Sequence, residues 1–238
     1  MKKLLLISSS RKGNLGYLEH TLEPARRLLK GRINQALFAP YAALTRSFDA
    51  YAAAVRYAYA QMNIEIVSIH DFADARQALN KADALIVGGG NTFALLNRLY
   101  AHGLVEAIRD LVRDGLPYLG WSAGANVACP TIRTTNDMPV LEPPALSALG
   151  LIPFQINPHF ISGKPAGHHG ESREERLAEF LAANPGQNVL ALPEGSALYV
   201  QGENATLLGD MDALIFRQSG RRESLAPGAE FPLSYVNS

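Results

Sequence analysis

The chain has 238 residues, of which 47% are hydrophobic, 18% charged and 8% aromatic, and its 22 basic and 22 acidic side chains give a formal net charge of zero. Hydrophobicity at this level without net charge excludes an intrinsically disordered protein. It also argues against nucleic acid as a partner, because binding a polyanion needs a basic surface. A chain of this length buries roughly 70–75% of its unfolded surface. We therefore expect one folded domain over residues 1–238.

The sequence shows no sign of a membrane segment or a secretory leader. The apolar run Leu4–Ile7 stops at Ser8, short of the roughly 7–15 residues of a signal-peptide core. No apolar stretch approaches the ~20 residues that cross a bilayer. Cys129 is the only cysteine, so an intrachain disulfide and a cysteine-rich metal site are excluded. We expect a cytoplasmic protein with no membrane partner.

Short apolar runs alternate with helical patterns through the first 130 residues. The predicted strands are nearly continuous in aliphatic residues, as expected for strands covered on both faces, and they lie at 3–8, 35–39, 64–69, 84–87 and 117–121. The predicted helices between them lie at 19–30, 48–62, 92–100 and 105–114. This alternation predicts right-handed βαβ units and a mostly parallel open sheet with helices on both faces.

The second half of the chain is predicted to be less regular. Residues 131–158 are rich in proline and lack periodicity, so long loops are expected there. The segment Ser172-Arg173-Glu174-Glu175 has the form of a capping box and predicts the start of a helix. Extra strands near the C-terminus, separated by turns that contain glycine, are predicted at 188–192, 197–201, 205–208 and 213–217.

The strongest functional motif is Gly120-Trp121-Ser122-Ala123-Gly124, which follows a predicted strand and precedes a run of small residues. A nucleophile elbow needs this arrangement, because the chain turns sharply from strand to helix and glycines remove side chains that would collide. Ser122 would then present its hydroxyl at the carboxyl edge of the sheet, and the N–H of Ala123 could donate to an oxyanion. The alternative is an ordinary connection with a structural serine.

A second glycine-rich turn, Gly88-Gly89-Gly90-Asn91-Thr92, closes one predicted strand and opens the next helix. Open α/β sheets bind ligands at this edge, and glycines let the backbone approach a substrate closely. One interpretation is that the N–H of Gly90 is the second oxyanion donor. The alternatives are a phosphate cradle, whose usual motifs do not fit, and a permissive turn capped by Asn91 or Thr92.

His159 is the candidate base among six histidines. It follows an apolar run in a proline-containing segment, Asn157–Phe160, and this position at a strand end suits a base that is presented to a serine. The glycine-flanked pair His168 and His169 is better suited to a mobile lid. His20 and His102 are interpreted as ordinary surface residues, whereas His70, just past a predicted strand, could face the site but has no acidic or glycine context beyond Asp71.

Two carboxylates are candidates for the acid that would orient His159. Glu194 ends an apolar run and would reach the same edge of the sheet, whereas Asp137 lies in the loop region after the elbow. Either could hold the imidazole in the tautomer that accepts the serine proton. The position of Glu194 at the end of a strand favours this residue as the acid, and Asp137 remains the alternative.

Taken together, the elbow, the segment 157–160 and the segment 170–176 resemble peptidase E, the α-aspartyl dipeptidase family of serine peptidases. Residues 88–92 and 192–195 also fit, so the resemblance covers nearly the whole chain. It implies a fold like that of class I glutamine amidotransferases, a flavodoxin-like α/β architecture, with serine in place of their elbow cysteine. It further implies hydrolysis of dipeptides with an N-terminal aspartate, without metal or cofactor. Ser122 would be the nucleophile, His159 the base, and either Asp137 or Glu194 the third member.

Recognition of an aspartyl side chain requires a cation, because burying a carboxylate without a partner is costly. Arg173, in the first turn of the capping-box helix, is the candidate, and a solvated surface arginine is the alternative. A serine esterase with a similar elbow and a non-catalytic anion-binding α/β domain remain as other functions. The expected substrate is a small peptide, and the expected assembly is a monomer or a homodimer.

Overall fold

The five strands predicted in the first half of the chain are present in the computed structural model, which describes residues 1–31, 33–164, 167 and 169–238. They are β1 (Lys3–Ile7), β2 (Gln35–Ala39), β3 (Glu65–Ser68), β4 (Ala84–Val87) and β5 (Tyr118–Trp121). They pair in parallel in the order β3-β2-β4-β5-β1. If β2 is counted as the first strand and β1 as the fifth, this is the strand order 2-1-3-4-5 of flavodoxin-like folds. The predicted α/β fold is confirmed.

Helices cover both faces of this sheet. On one face lie α1 (Leu22–Leu28) and α2 (Phe48–Ala58), and on the other lie α3 (Ala75–Asn80), α4 (Thr92–Ala101) and α5 (Leu104–Asp114). The side chains of β1 alternate between the cores on the two faces of the sheet, because successive side chains of a strand point to opposite faces. Leu5 and Ile7 join the core beside α1 and α2, whereas Leu4 and Leu6 join the core beside the other three helices.

Two predicted helices are interrupted near one end. A 3₁₀ turn at Glu19–Thr21 precedes α1, and another at Ala60–Met62 follows α2; further 3₁₀ turns lie at Ile69–Asp71 and Leu233–Asn237. The sequence pattern does not predict α3, whose six residues are too few to show a helical period. No helix in the described part of the chain is long and apolar enough to cross a membrane.

The second half of the chain begins with the short helix α6 (Ala123–Asn126), directly after β5. A long loop, as predicted, then leads to β6 (Gln155–Phe160). Helix α7 (Arg173–Ala183) starts at the predicted capping box, in which Ser172 and Glu175 bind each other's backbone N–H groups. The strands that follow are β7 (Val189–Pro193), β8 (Ala197–Gln201), β9 (Asn204–Leu208), β10 (Ala213–Phe216), β11 (Arg222–Leu225) and β12 (Glu230–Pro232).

The C-terminal strands are divided between two sheets. Strands β8, β9 and β12 continue the first sheet beyond β1 as antiparallel neighbours, giving eight strands in the order β12-β9-β8-β1-β5-β4-β2-β3. Strands β11, β10, β7 and β6 form a second sheet in that order, in which only β6 and β7 are parallel. The sequence predicts extra strands here, but it does not predict β11, β12 or this division.

Candidate active site

The turn between β5 and α6 holds Ser122 in a strained backbone conformation. Ser122 has φ 52° and ψ −112°, a region that costs a non-glycine residue about 1–3 kcal/mol. Its N–H donates to the carbonyl of Ile7 at 2.9 Å. The flanking glycines are sterically required, since a Cβ on Gly120 would overlap the carbonyl of Gly124, and a Cβ on Gly124 would overlap that of Val87. The chain therefore turns here as a nucleophile elbow does.

His159 and Glu194 continue a chain of hydrogen bonds that begins at Ser122. Ser122 Oγ lies 2.9 Å from His159 Nε2, and Glu194 Oε1 lies 2.7 Å from His159 Nδ1. If Nδ1–H donates to the carboxylate, Nε2 is left with a lone pair that can accept the serine proton. His159 itself has a left-handed backbone with φ 54° near the end of β6. The structure therefore brings together three residues that come from two different sheets.

Two serines at the end of β1 hold this arrangement in place. Ser8, fully buried, accepts a hydrogen bond from the N–H of His159 at 2.8 Å and donates one to the carbonyl of Leu192 at 2.8 Å. Ser9 Oγ accepts the N–H of Gly195 at 2.9 Å. The first sheet is thus bonded directly to the segments of the second sheet that carry the imidazole and the carboxylate. Sequence reasoning missed both serines, although their position at the end of the first predicted strand was an available signal.

Gly90 and Ala123 lie in the two turns beside Ser122. Gly90 has φ 136°, and a Cβ there would overlap the carbonyl oxygen of Ala42, so the position requires glycine. A Cβ on the adjacent Gly89 would lie 3.0 Å from Ser122 Cβ, which places this turn against the serine. Within the described part of the chain, neither the N–H of Gly90 nor that of Ala123 has an acceptor. Two such donors beside a serine hydroxyl are what an oxyanion hole needs.

Asp137, the other candidate for the acid, contacts the start of α4 and makes no hydrogen bond to His159. Its Oδ2 accepts the N–H of Thr92 at 2.7 Å, the Thr92 hydroxyl at 2.6 Å and the Thr135 hydroxyl at 3.2 Å. A carboxylate at this position pairs an N–H that a helix start leaves unsatisfied and complements the helix dipole. Asp137 therefore steadies the turn that carries Gly90.

Arg173 extends from the start of α7 to the loop that carries Asp137. Its Nη1 donates to Asn136 Oδ1, and the Asn136 amide in turn donates to the carbonyl of Pro158 at 2.8 Å. Burial and the nearby Arg176 lower the pKa of Arg173, whereas the Asp137 carboxylate acts in the opposite direction. An arginine starts from so high a pKa that it stays a cation at neutral pH. The structure thus places one partly exposed guanidinium beside the strand that carries the imidazole.

The remaining sequence candidates lie elsewhere or outside the described residues. Cys129 is fully buried beyond the elbow, and burial raises the pKa of its thiol to about 12, so it carries no thiolate at neutral pH. His169 is exposed and His168 lies outside the described residues, so the lid stays a prediction.

One group of three potential metal ligands occurs among the residues that the structure describes. The ligand atoms of Asp49, His70 and Asp71 lie within 4.8 Å of one another. His70 Nε2 is 3.0 Å from a carboxylate oxygen of Asp49 and 3.3 Å from one of Asp71. His70 and Asp71 follow β3 at the outer edge of the sheet and Asp49 lies in α2, whereas Ser122 follows the central strand β5. Its position gives it no part in chemistry at the serine.

The fold and these contacts define a class of protein. A serine hydroxyl on an elbow at the carboxyl end of a parallel sheet, in contact with an imidazole that is itself held by a carboxylate, is the arrangement of a serine hydrolase.

Comparisons with known proteins identify the family. Residues 4–208 match the model of peptidase family S51. Peptidase E of Pasteurella multocida (strain Pm70) is 50% identical over 232 residues, which are 97% of this chain and 99% of that protein. Peptidase E of Haemophilus influenzae (strain PittGG) is 52% identical over 220 residues, or 92% of this chain and 94% of that protein. The chain belongs to peptidase family S51, and it is a peptidase hydrolase.

A solved structure supports the fold assignment. The crystal structure of a peptidase from an acI-B1 actinobacterium matches with a TM-score of 0.71 over 97% of this chain and 96% of that one, at 18% identity. The family model and the relatives at about 50% identity confirm the family expected from the motifs. A peptidase is favoured over the esterase and over the non-catalytic anion-binding domain.

Proposed function

We propose that the protein is a serine dipeptidase that hydrolyses dipeptides with an N-terminal aspartate through an acyl-enzyme on Ser122. The hydrogen-bond chain from Ser122 through His159 to Glu194 carries the catalytic part of this proposal. Membership of family S51 and the identity with proteins named peptidase E support the peptidase reaction.

The reaction proceeds by acyl transfer. Ser122 Oγ attacks the peptide carbonyl carbon while His159 Nε2 takes its proton, and the N–H groups of Gly90 and Ala123 stabilise the oxyanion. The C–N bond then breaks as the imidazolium returns the proton to the leaving amine. Water, activated by the same imidazole, attacks the acyl-enzyme and releases the aspartate with Ser122 restored. Glu194 keeps Nδ1 protonated and stabilises the imidazolium.

Glu194 is our assignment for the acid of the triad. Its carboxylate lies 2.7 Å from His159 Nδ1, whereas the hydrogen bonds of the Asp137 side chain go to Thr92 and Thr135. A carboxylate can fix the tautomer of an imidazole only through a direct hydrogen bond to it.

Arg173 is our assignment for the cation that selects aspartate. A guanidinium can donate two parallel hydrogen bonds to a carboxylate, and Arg173 is held next to the catalytic strand by Asn136.

The test is turnover of Asp-Leu, Leu-Asp and Ala-Leu by the wild type, Ser122→Ala, Arg173→Ala and Arg176→Ala. Ser122→Ala should abolish turnover and labelling by a fluorophosphonate. Arg173→Ala should lower kcat/KM for Asp-Leu about 10- to 100-fold, the value of a hydrogen bond to a charged group. Arg176→Ala is the matched control, because that side chain on the same helix is exposed and lies near Glu171. Unchanged turnover of Asp-Leu by Arg173→Ala would refute the assignment of this residue.

The proposed reaction uses side chains and backbone N–H groups alone, so chelation by EDTA should leave the rate unchanged. We further propose that the enzyme acts in the cytoplasm as a monomer or a homodimer. Cell fractionation and sedimentation equilibrium test these two points.

A further inference from the structure

We propose that Asp137 binds the α-ammonium group of the substrate, beside Arg173, and thereby selects peptides with a free N-terminus. This inference rests on the proposed Asp-X dipeptidase function. It gives Asp137 a role in specificity in place of the triad role for which it was a candidate.

The carboxylate of Asp137 is anchored through one oxygen and open at the other. Oδ2 receives all three side-chain and backbone donors, from Thr92 and Thr135. Oδ1 accepts no hydrogen bond from a described residue, and no described basic side chain lies within ion-pair distance of Asp137. The side chain is partly exposed. A carboxylate held in this way is a preorganised acceptor, because binding a donor at Oδ1 costs no further ordering of the side chain.

Hydrogen bonds connect the segment of Asp137 both to the turn that carries Gly90 and to Arg173, the cation proposed to bind the aspartyl side chain. It is bonded to the N–H of Thr92, two residues after Gly90. Its neighbour Asn136 is bonded to Arg173 and to the carbonyl of Pro158. The guanidinium of Arg173 is thus bonded to the residue next to Asp137, and the Asp137 carboxylate acts to raise the pKa of Arg173. One wall of the site therefore carries a negative and a positive group side by side, next to the turn that would hold the oxyanion.

An N-terminal aspartyl residue carries the complementary set of charges. Its ammonium group and its scissile carbonyl are bonded to the same carbon, and its side-chain carboxylate lies one carbon further away. With the carbonyl oxygen at Gly90 and Ala123, the ammonium on the adjacent α-carbon must lie close to the oxyanion turn, and the side-chain carboxylate branches from the same carbon toward a separate partner. Hydrogen bonds join Asp137 to Thr92, two residues after Gly90, and join its neighbour Asn136 to Arg173. An ammonium taken from water without an anionic partner is costly, and Glu194 is already engaged by His159.

The experiment compares Asp-Leu with succinyl-leucine, which is the same molecule without the amine. Each is measured as a substrate, or as a competitive inhibitor of p-nitrophenyl acetate hydrolysis where turnover is slow. The wild type should prefer Asp-Leu. Asp137→Asn keeps an amide oxygen for the N–H of Thr92 and removes the charge, so it should reduce the preference for Asp-Leu over succinyl-leucine about 10- to 100-fold. An equal loss of activity toward Asp-Leu and succinyl-leucine would indicate a change in the turn that carries Gly90. A change in the ratio of the two activities would indicate a change in binding of the amine.

Thr135→Val is the matched control. It removes the hydroxyl that donates to Asp137 Oδ2 and to Thr92 Oγ1 and that accepts the N–H of Asp137. The charge of Asp137 stays, so the preference for Asp-Leu should persist. An Asp137→Asn enzyme that keeps the wild-type ratio, or a wild type without preference for the amine, overturns the proposal. The proposed function fails in a different way, through a wild type that does not hydrolyse Asp-Leu.

Discussion

Replacing Glu194 by glutamine tests which carboxylate orients His159. The substitution removes the negative charge opposite Nδ1 and keeps the size of the side chain and an oxygen that can accept from Nδ1–H. The hydrogen bond is short, 2.7 Å, but the Glu194 side chain is 59% exposed. A hydrogen bond to a charged group is worth about 1.5–3 kcal/mol, and water screens a group this exposed, so the lower half of that range applies. At about 1.4 kcal/mol for each factor of ten, kcat/KM should fall roughly 10- to 30-fold.

The assay uses two substrates, Asp-Leu and p-nitrophenyl acetate. Glu194→Gln should slow both to a similar extent, because activation of the serine is common to every acyl transfer at this site. Asp137→Asn should instead act mainly on the preference for the free amine. Ser122→Ala sets the background rate. If Glu194→Gln changes both rates by less than about threefold, or if Asp137→Asn slows the ester more than Glu194→Gln does, the assignment of the acid is wrong.

Three further predictions concern stability. Ser122→Gly should unfold at a higher temperature than Ser122→Ala, and the difference in stability should be about 1 kcal/mol. Glycine adopts the φ of 52° at this position without strain, although it loses more chain entropy on folding. Equal melting temperatures would mean that the elbow is unstrained. Ser8→Ala should lower the free energy of unfolding in urea by about 1–3 kcal/mol, since it leaves the N–H of His159 buried without its acceptor, and an unchanged value would contradict this role. Hydrogen bonds from the Ser172 N–H and from Lys164 lower the pKa of Glu175 from 4.5 to about 2 in the folded protein. The stabilisation that this carboxylate gives is therefore present above the pKa of the unfolded chain and is lost as the pH falls through the pKa of the folded protein. The difference in melting temperature between the wild type and Glu175→Gln should shrink from about pH 5 to about pH 2, and a constant difference would refute this role of Glu175.

The sequence determined the features that depend on neighbours along the chain. Short aliphatic runs between helical patterns predicted the parallel strands, because strands buried on both faces need apolar residues at consecutive positions. The glycines at 120 and 124 predicted the elbow, since close approach of the backbone excludes a Cβ there. The capping box at Ser172 and Glu175 was likewise predicted, because its hydrogen bonds join residues three apart.

The tertiary structure alone decided which distant segments meet. The local sequence favours Glu194 but leaves Asp137 open as the acid. The pairing of β6 with β7 brings Glu194 to His159, while Asp137 binds the start of α4. The hydrogen bond between Ser8 and His159 joins residues 151 positions apart and has no local pattern. Local motifs are set by sterics and periodicity within a few residues, whereas the assembled site depends on strand order and on the pairing of two sheets.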